Sequence, residues 1–272
     1  MPKQYVSNGG SAIGEAIGQY METVVQEYIR NFLNPYPCQF ITEIGKNPVT
    51  GRESKRLLLA DSYGTEYQID GVIATESMQP LVLIESKYIR YKKHNRDKGS
   101  WICQAHTAVR KRFKSIRGSI AILAGSWSKT SLLMISNSDV NYFVIPLDFI
   151  IQLFAEKGID IAWDESERDK ALAAWYRYEA LPESEKMDIA YKMVESIKTP
   201  LFETLTALLD DTKPREIKKI VIEIKTSKGE VQRISFSSRK QAIDFLNDLD
   251  LDALFDESTF LSIFEPVELE EP

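Results

Sequence analysis

The stretch that decides the fold is Tyr67 to Tyr88, YQIDGVIATESMQPLVLIESKY. Its alternation and apolar runs predict two strands joined by a short polar turn. In the second strand the apolar run Leu81 to Ile84 leads straight into Glu85-Ser86-Lys87. Successive side chains on a strand point to opposite faces, so Glu85 and Lys87 share one face and Ser86 takes the other. Asp70 closes the alternation of the first strand, where a hairpin brings it beside Glu85. Two carboxylates and an ammonium next to an apolar run are costly to bury unless paired or holding a metal. A plainer reading is a charged pair on an edge strand, where charge discourages aggregation.

This stretch opens onto a block of charge. From Lys87 to Arg117 there are eleven basic residues (Lys87, Arg90, Lys92, Lys93, Arg96, Lys98, Arg110, Lys111, Arg112, Lys114, Arg117) against one acid, Asp97. The whole chain carries a formal net charge of -6, so setting this +10 aside leaves -16 elsewhere. Both histidines, His94 and His106, lie in the same segment. Phosphate binding answers to a local field rather than to net charge. Arg90, Lys92, Lys93, Arg96, Lys98 and Arg110 are therefore candidates for contact with a nucleic-acid backbone. The alternative is a solvated helix face.

Upstream, Ser11 is the expected N-cap of a helix running to about Leu33, with Ile13, Ile17, Tyr20, Val24 and Tyr28 as its apolar stripe. Gly14 and Gly18 on this helix suggest close packing. Glu15 and Glu22 sit off the stripe, where helix geometry alone favours solvent. Strands are expected at 40–44 and 56–60 around the turn-rich KNPVTGRES, then at 67–74 and 81–90. A helix from about Lys98 to Lys114 follows, then strands at 119–124, 132–135 and 142–145. This order predicts an α/β fold, a mixed β-sheet flanked by helices. Beyond Pro146, helices are expected at 147–154, 165–179 and 182–209, a hairpin at 216–236 around Ser227-Lys228-Gly229, and a helix from Ser238. The last eight or so residues read as an acidic tail. The expected division is a core at 1–155 and a helical and ββα C-terminal region at 156–272, serving target recognition, dimerisation or regulation.

With 272 residues, 43% hydrophobic and 27% charged, the chain can bury a full core. No apolar run is long enough to cross a membrane, and MPKQYVSNGGS lacks an apolar signal core, so no membrane partner is expected. Cys38 and Cys103 alone make no disulfide framework, and the expected compartment is the reducing cytoplasm. Cys103-x-x-His106 lacks a second pair and is rejected as a zinc site. Ser126 and Ser128 have no histidine at a recognisable spacing, which leaves a serine hydrolase without support.

Ile69-Asp70, fourteen residues, then Glu85-Ser86-Lys87 resembles the PD-(D/E)XK nuclease superfamily, the restriction-endonuclease-like fold, over roughly residues 11–146. The proline that the family has before the aspartate is Ile69 here. The resemblance implies a Mg2+-dependent DNA endonuclease of the restriction or defence type, with Asp70, Glu85 and Lys87 catalytic. Gly18-Gln-Tyr-Met-Glu22 matches a pattern that supplies a further metal-holding glutamate in many members. Gln104 falls where related nucleases often have a polar residue, and a surface glutamine fits equally. Chemistry supports the residue types independently: Asp70, Glu85 and the Ser86 carbonyl offer hard oxygens suited to Mg2+, with Mn2+ as a substitute. Lys87 could orient or deprotonate water, or stabilise charge. Double-stranded DNA is the expected partner, and a homodimer follows from the two-fold symmetry of many restriction sites. A structure-specific repair or recombination nuclease, and a DNA-binding module without catalysis, are the competing readings.

Overall fold

The computed structural model describes residues 8–43 and 56–256. The first helix, α1 (Gly9–Leu33), is capped by Asn8, whose side chain accepts from the Ser11 amide at 3.0 Å. Ser11 is thus inside the first turn and not the cap, because the Asn8 side chain reaches back to the free N–H groups first. Its buried stripe, Ile13, Ile17, Met21, Val24, Val25 and Ile29, lies against the sheet and later helices. Strand β1 (Cys38–Ile41) follows. The turn-rich 46–54 lies outside the described residues, as does the acidic tail.

β2 (Leu58–Ala60) and β3 (Glu66–Gln68) form their own two-stranded ribbon. The expected strand 67–74 is therefore two elements, with Ile69 and Asp70 between β3 and β4 (Gly71–Thr75). Then come β5 (Pro80–Ile89), a 3-10 turn at Lys92–His94, α2 (Asn95–Arg112), β6 (Gly118–Gly125), α3 (Lys129–Asn137) and β7 (Asn141–Pro146). The expected strand at 132–135 is helical. Ser128 caps it by accepting from the Ser131 amide, and the parallel step from β6 to β7 requires a crossover.

The main sheet has the order β1-β4-β5-β6-β7, with β4 antiparallel to both β1 and β5, and β5, β6 and β7 mutually parallel. It is a mixed five-stranded sheet with helices packed on it, and the interior strand β6 is buried on both faces as its apolar run demands. Val82, Ile84, Ile120, Ile122 and Ala124 face the large core that contains α1. Leu83 joins Ala105 and Val109 of α2 on the other face, and Ile89, Ala121 and Leu123 join Ile102.

After β7 come α4 (Leu147–Glu156), α5 (Arg168–Glu179) and α6 (Glu183–Leu209). Their buried residues, among them Phe154, Tyr178, Met193, Val194, Leu201 and Leu205, belong to the same core as α1. The expected boundary at 155/156 consequently does not mark a compact unit. The first unit runs to Asp210 and the second begins at Asp211. Within the second, β8 (Ile220–Lys225) and β9 (Val231–Phe236) form an antiparallel hairpin followed by α7 (Arg239–Asn247) and α8 (Leu251–Leu254). Phe236 of β9 meets Phe245 of α7 at 5.2 Å between ring centroids. Among the described residues, no helix is long and apolar enough to cross a membrane.

Candidate functional site

Where β4 leaves β5, three charged side chains meet. The pairing of the two strands ends at Gly71 and Ile84, which sets Asp70 opposite Glu85. The Asp70 carboxylate accepts the Ser86 amide at 2.9 Å through Oδ2, and the same oxygen lies 2.9 Å from Lys87 Nζ. Lys87 Nζ is also 2.6 Å from Glu85 Oε1. Strand alternation thus places Glu85 and Lys87 on one face, and the backbone of the odd-facing residue, Ser86, fixes the aspartate. Asp70, Glu85 and Lys87 are brought together as the sequence implied.

Glu85 is only 2% exposed. Behind it stands His106 of α2, fully buried, with Nε2 3.8 Å from Glu85 Oε2, too long for a hydrogen bond. Burial pushes the Glu85 carboxyl up, but His106 and Lys87 outweigh it and hold it below the ordinary value. Asp70 goes the other way: burial and the charge of Glu85 raise it against the pull of Lys87 and the Ser86 amide. Burial acts to lower Lys87, yet the two carboxylates more than reverse it and Lys87 is held as a cation.

Glu22 of α1 is half-buried and accepts no hydrogen bond from this cluster. It accepts from Gln26 Nε2 at 3.2 Å. Its pKa is raised first by burial and then by the charge of Asp70, with Lys87 and Gln26 opposing, so it does lie within the field of the site. Glu15 is exposed. Among the described residues, no three His, Cys, Asp or Glu side chains converge as a ready-made metal group. The donor set nonetheless suits a hard divalent cation. Asp70 Oδ2 and Glu85 Oε1 already face one shared cationic point, the Lys87 ammonium, and the remaining ligands of Mg2+ are commonly water.

The cluster lines an open cleft of about 560 Å3, whose walls include Gln68, Asp97, Lys98 and Trp101. The basic block divides around it. Arg90 gives its guanidinium to the carbonyls of Ile161 and Trp163, Arg110 to Asp139, Arg112 to Ala60 and Asp61, and Arg117 to Leu208. These arginines brace loops and chain ends. Lys92, Arg96 and Lys98 are exposed, and Lys93 is exposed but ion-paired with Glu165. Of the candidate backbone contacts, Arg90 and Arg110 are turned to structural partners, and the four at 92–98 remain on the surface.

Gln104 is exposed, and the polar residue that α2 directs at the site is His106. His106 lies in the basic segment of the sequence, but its complete burial keeps it from contact with phosphate. The available signal was spacing: His106 lies four residues from Ile102 and next to Ala105, on the apolar stripe.

No family profile and no curated protein matches this chain. Among solved structures there is a match to the crystal structure of a protein of unknown function, AF1548, at 11% identity and a TM-score of 0.31, covering 70% of this chain and 99% of that one.

Proposed function

We propose that this chain is a Mg2+-dependent endonuclease that hydrolyses phosphodiester bonds of double-stranded DNA, with a restriction-endonuclease-like core and a restriction or defence role. The observation that supports it is the convergence of Asp70, Glu85 and Lys87 in one cleft, with Lys87 Nζ within 2.9 Å of one carboxylate and 2.6 Å of the other. A bare acidic cleft would repel phosphate. Here Lys87 and the exposed Lys92, Arg96 and Lys98 supply the positive field that draws it in.

Asp70, Glu85 and the Ser86 carbonyl are the groups that would hold Mg2+, or Mn2+ in its place. When bound, the ion supplies charge neutralisation and a more acidic water. The chain's own part is positioning. The Ser86 amide fixes Asp70, and His106 backs Glu85, so neither carboxylate has to reorganise when phosphate arrives. Lys87, held protonated between them, stabilises the negative charge that builds on phosphorus rather than acting first as a base. The second compact unit is free to serve target recognition, and a homodimer would match a two-fold site.

Plasmid incubated with Mg2+ and the full chain tests this, beside Asp70→Ala and Lys87→Ala. Discrete Mg2+-dependent fragments are expected, with each substitution lowering the rate by about 10^3-fold. Binding without cleavage of any DNA form would sink the enzymatic reading, and undiminished cutting by both variants would move the site elsewhere.

A further inference from the structure

A second cleft, of about 710 Å3, opens at the carboxyl end of β5 between the first turn of α1 and the start of α5. Apart from Lys98, which borders both clefts, nothing in the reaction above uses it. Its position, outside the C-terminal end of a parallel strand, is where open α/β sheets take ligands. Gly9 builds one wall: a Cβ there would stand 2.6 Å from the Ala171 carbonyl oxygen, so only glycine lets the start of α1 approach α5 this closely.

The inner surface has a one-sided chemistry. Trp163, 5% exposed, sets its indole Nε1 beside the first turn of α1, where a Cβ on Gly10 would lie 3.9 Å from it. That N–H has no partner, and neither do Arg90 Nε, Arg90 Nη1 or the Tyr88 hydroxyl, all of them buried. Tyr88 stands close to the Arg90 guanidinium but without hydrogen-bond geometry. Arg90 is held in place by stacking on the Trp163 ring, 4.2 Å from its centroid, and by two carbonyls bound through Nη2. Buried donors left unmade are costly, and three of these four atoms can only donate. An acceptor-rich anion seated among these side chains would supply the kind of partner that they lack. The N-terminus of the 25-residue α1 adds its free N–H groups and the positive end of its dipole. Lys98 and Arg168 are exposed at the rim, as are Glu15, Asp169 and the Lys93-paired Glu165. The acids are therefore at the solvent edge, and three of the four unpartnered buried atoms are donors.

We infer that this cleft binds a phosphate monoester, with Arg90, Trp163, Tyr88 and the first turn of α1 as the receptor. The volume accommodates a nucleotide, so the phosphate belongs either to a free nucleotide or to the 5′ end of a strand. The site stands whether or not the chain cuts DNA.

Isothermal calorimetry on the full chain tests it, with inorganic phosphate, deoxyadenosine monophosphate, and a deoxytrinucleotide with and without a 5′-phosphate. Saturable binding of phosphate or of the monophosphate is expected, weakened about tenfold by Trp163→Phe and again by Tyr88→Phe, each of which removes one donor and keeps the ring. Lys87→Ala should leave it unchanged, which separates this cleft from the one beside it. Preference for the 5′-phosphorylated trinucleotide over the mononucleotide would assign the ligand to a strand end, and the reverse to a free nucleotide. Absence of binding by every probe, or equal binding of the trinucleotide with and without its 5′-phosphate, overturns the inference. So does a Trp163→Phe chain that melts higher and binds phosphate as tightly as the parent.

Discussion

The two halves of β5 share one strand and serve opposite ends. From Val82 to Ile84 the strand has β4 on one edge and β6 on the other, and every side chain is buried and apolar. From Glu85 onward β6 continues alongside but β4 has gone. The edge so released is where Asp70 enters and where Glu85 and Lys87 find each other. The lower half is stabilised by burial. The upper half stores charge in a nearly dry setting, which only mutual pairing makes tolerable. Stability and chemistry are therefore separated along the strand by a single residue step.

The largest effect should come from breaking the lower half. Leu83→Ala removes a fully buried side chain against α2 and should cost about 3 to 5 kcal/mol, read as a fall in the denaturation midpoint. Where β5 ends, Gly125→Ala should cost about 3 kcal/mol. Its φ is +96°, and a Cβ would come within 2.0 Å of the Ile89 carbonyl oxygen. The upper half should behave in reverse. Glu85→Gln should abolish Mg2+-dependent cleavage while shifting Tm far less than Leu83→Ala does. If it unfolds the protein as readily, the division between the halves is wrong.

Smaller effects sharpen the picture at its rim. Lys92→Gln and Lys98→Gln should each weaken DNA binding evenly across sequences and lower the slope of log affinity against log salt by about 0.9. Glu22 is predicted to act through pH. Its folded pKa is raised, so the stability it confers is complete below the ordinary value of 4.5 and is lost as pH rises through the folded value. Relative to the parent, Glu22→Gln should match in Tm below pH 4.5 and gain on it above. A gain at acid pH only would mean that the carboxylate is stabilised as an anion, with a nearer cation.

Much of this was legible in the sequence because strand alternation is strict. Glu85 and Lys87 had to share a face, and a hairpin had to bring Asp70 to them. The mixed sheet followed from the order of elements. What was hidden depends on partners distant in the chain. His106 looks like an ordinary member of a helix stripe until the sheet puts Glu85 in front of it. Arg90 and Arg117 read as part of a basic patch, but their acceptors are carbonyls at residues 161, 163 and 208. The short apolar run 132–135 suits a strand or a helix equally, and only the parallel crossover selects the helix. The boundary at 155/156 failed for the same reason, since α4, α5 and α6 show their destination only once α1 is in place.

That last arrangement has a consequence for the order of events as the chain is made. Asp70 and Glu85 meet across fifteen residues, so the acidic pair can assemble early and locally. The outer side of α1 has to wait. Tyr20 and Tyr28 hydrogen-bond Glu183 and Glu195 at separations of 163 and 167 residues, and Tyr191 returns to Glu27. A growing chain that already carries its charged cluster still exposes the side of its first helix that packs on α5 and α6 until residue 209 has emerged from the ribosome. Nascent chains halted near residue 155 should bind chaperones that capture apolar helices, and chains released past residue 210 should not.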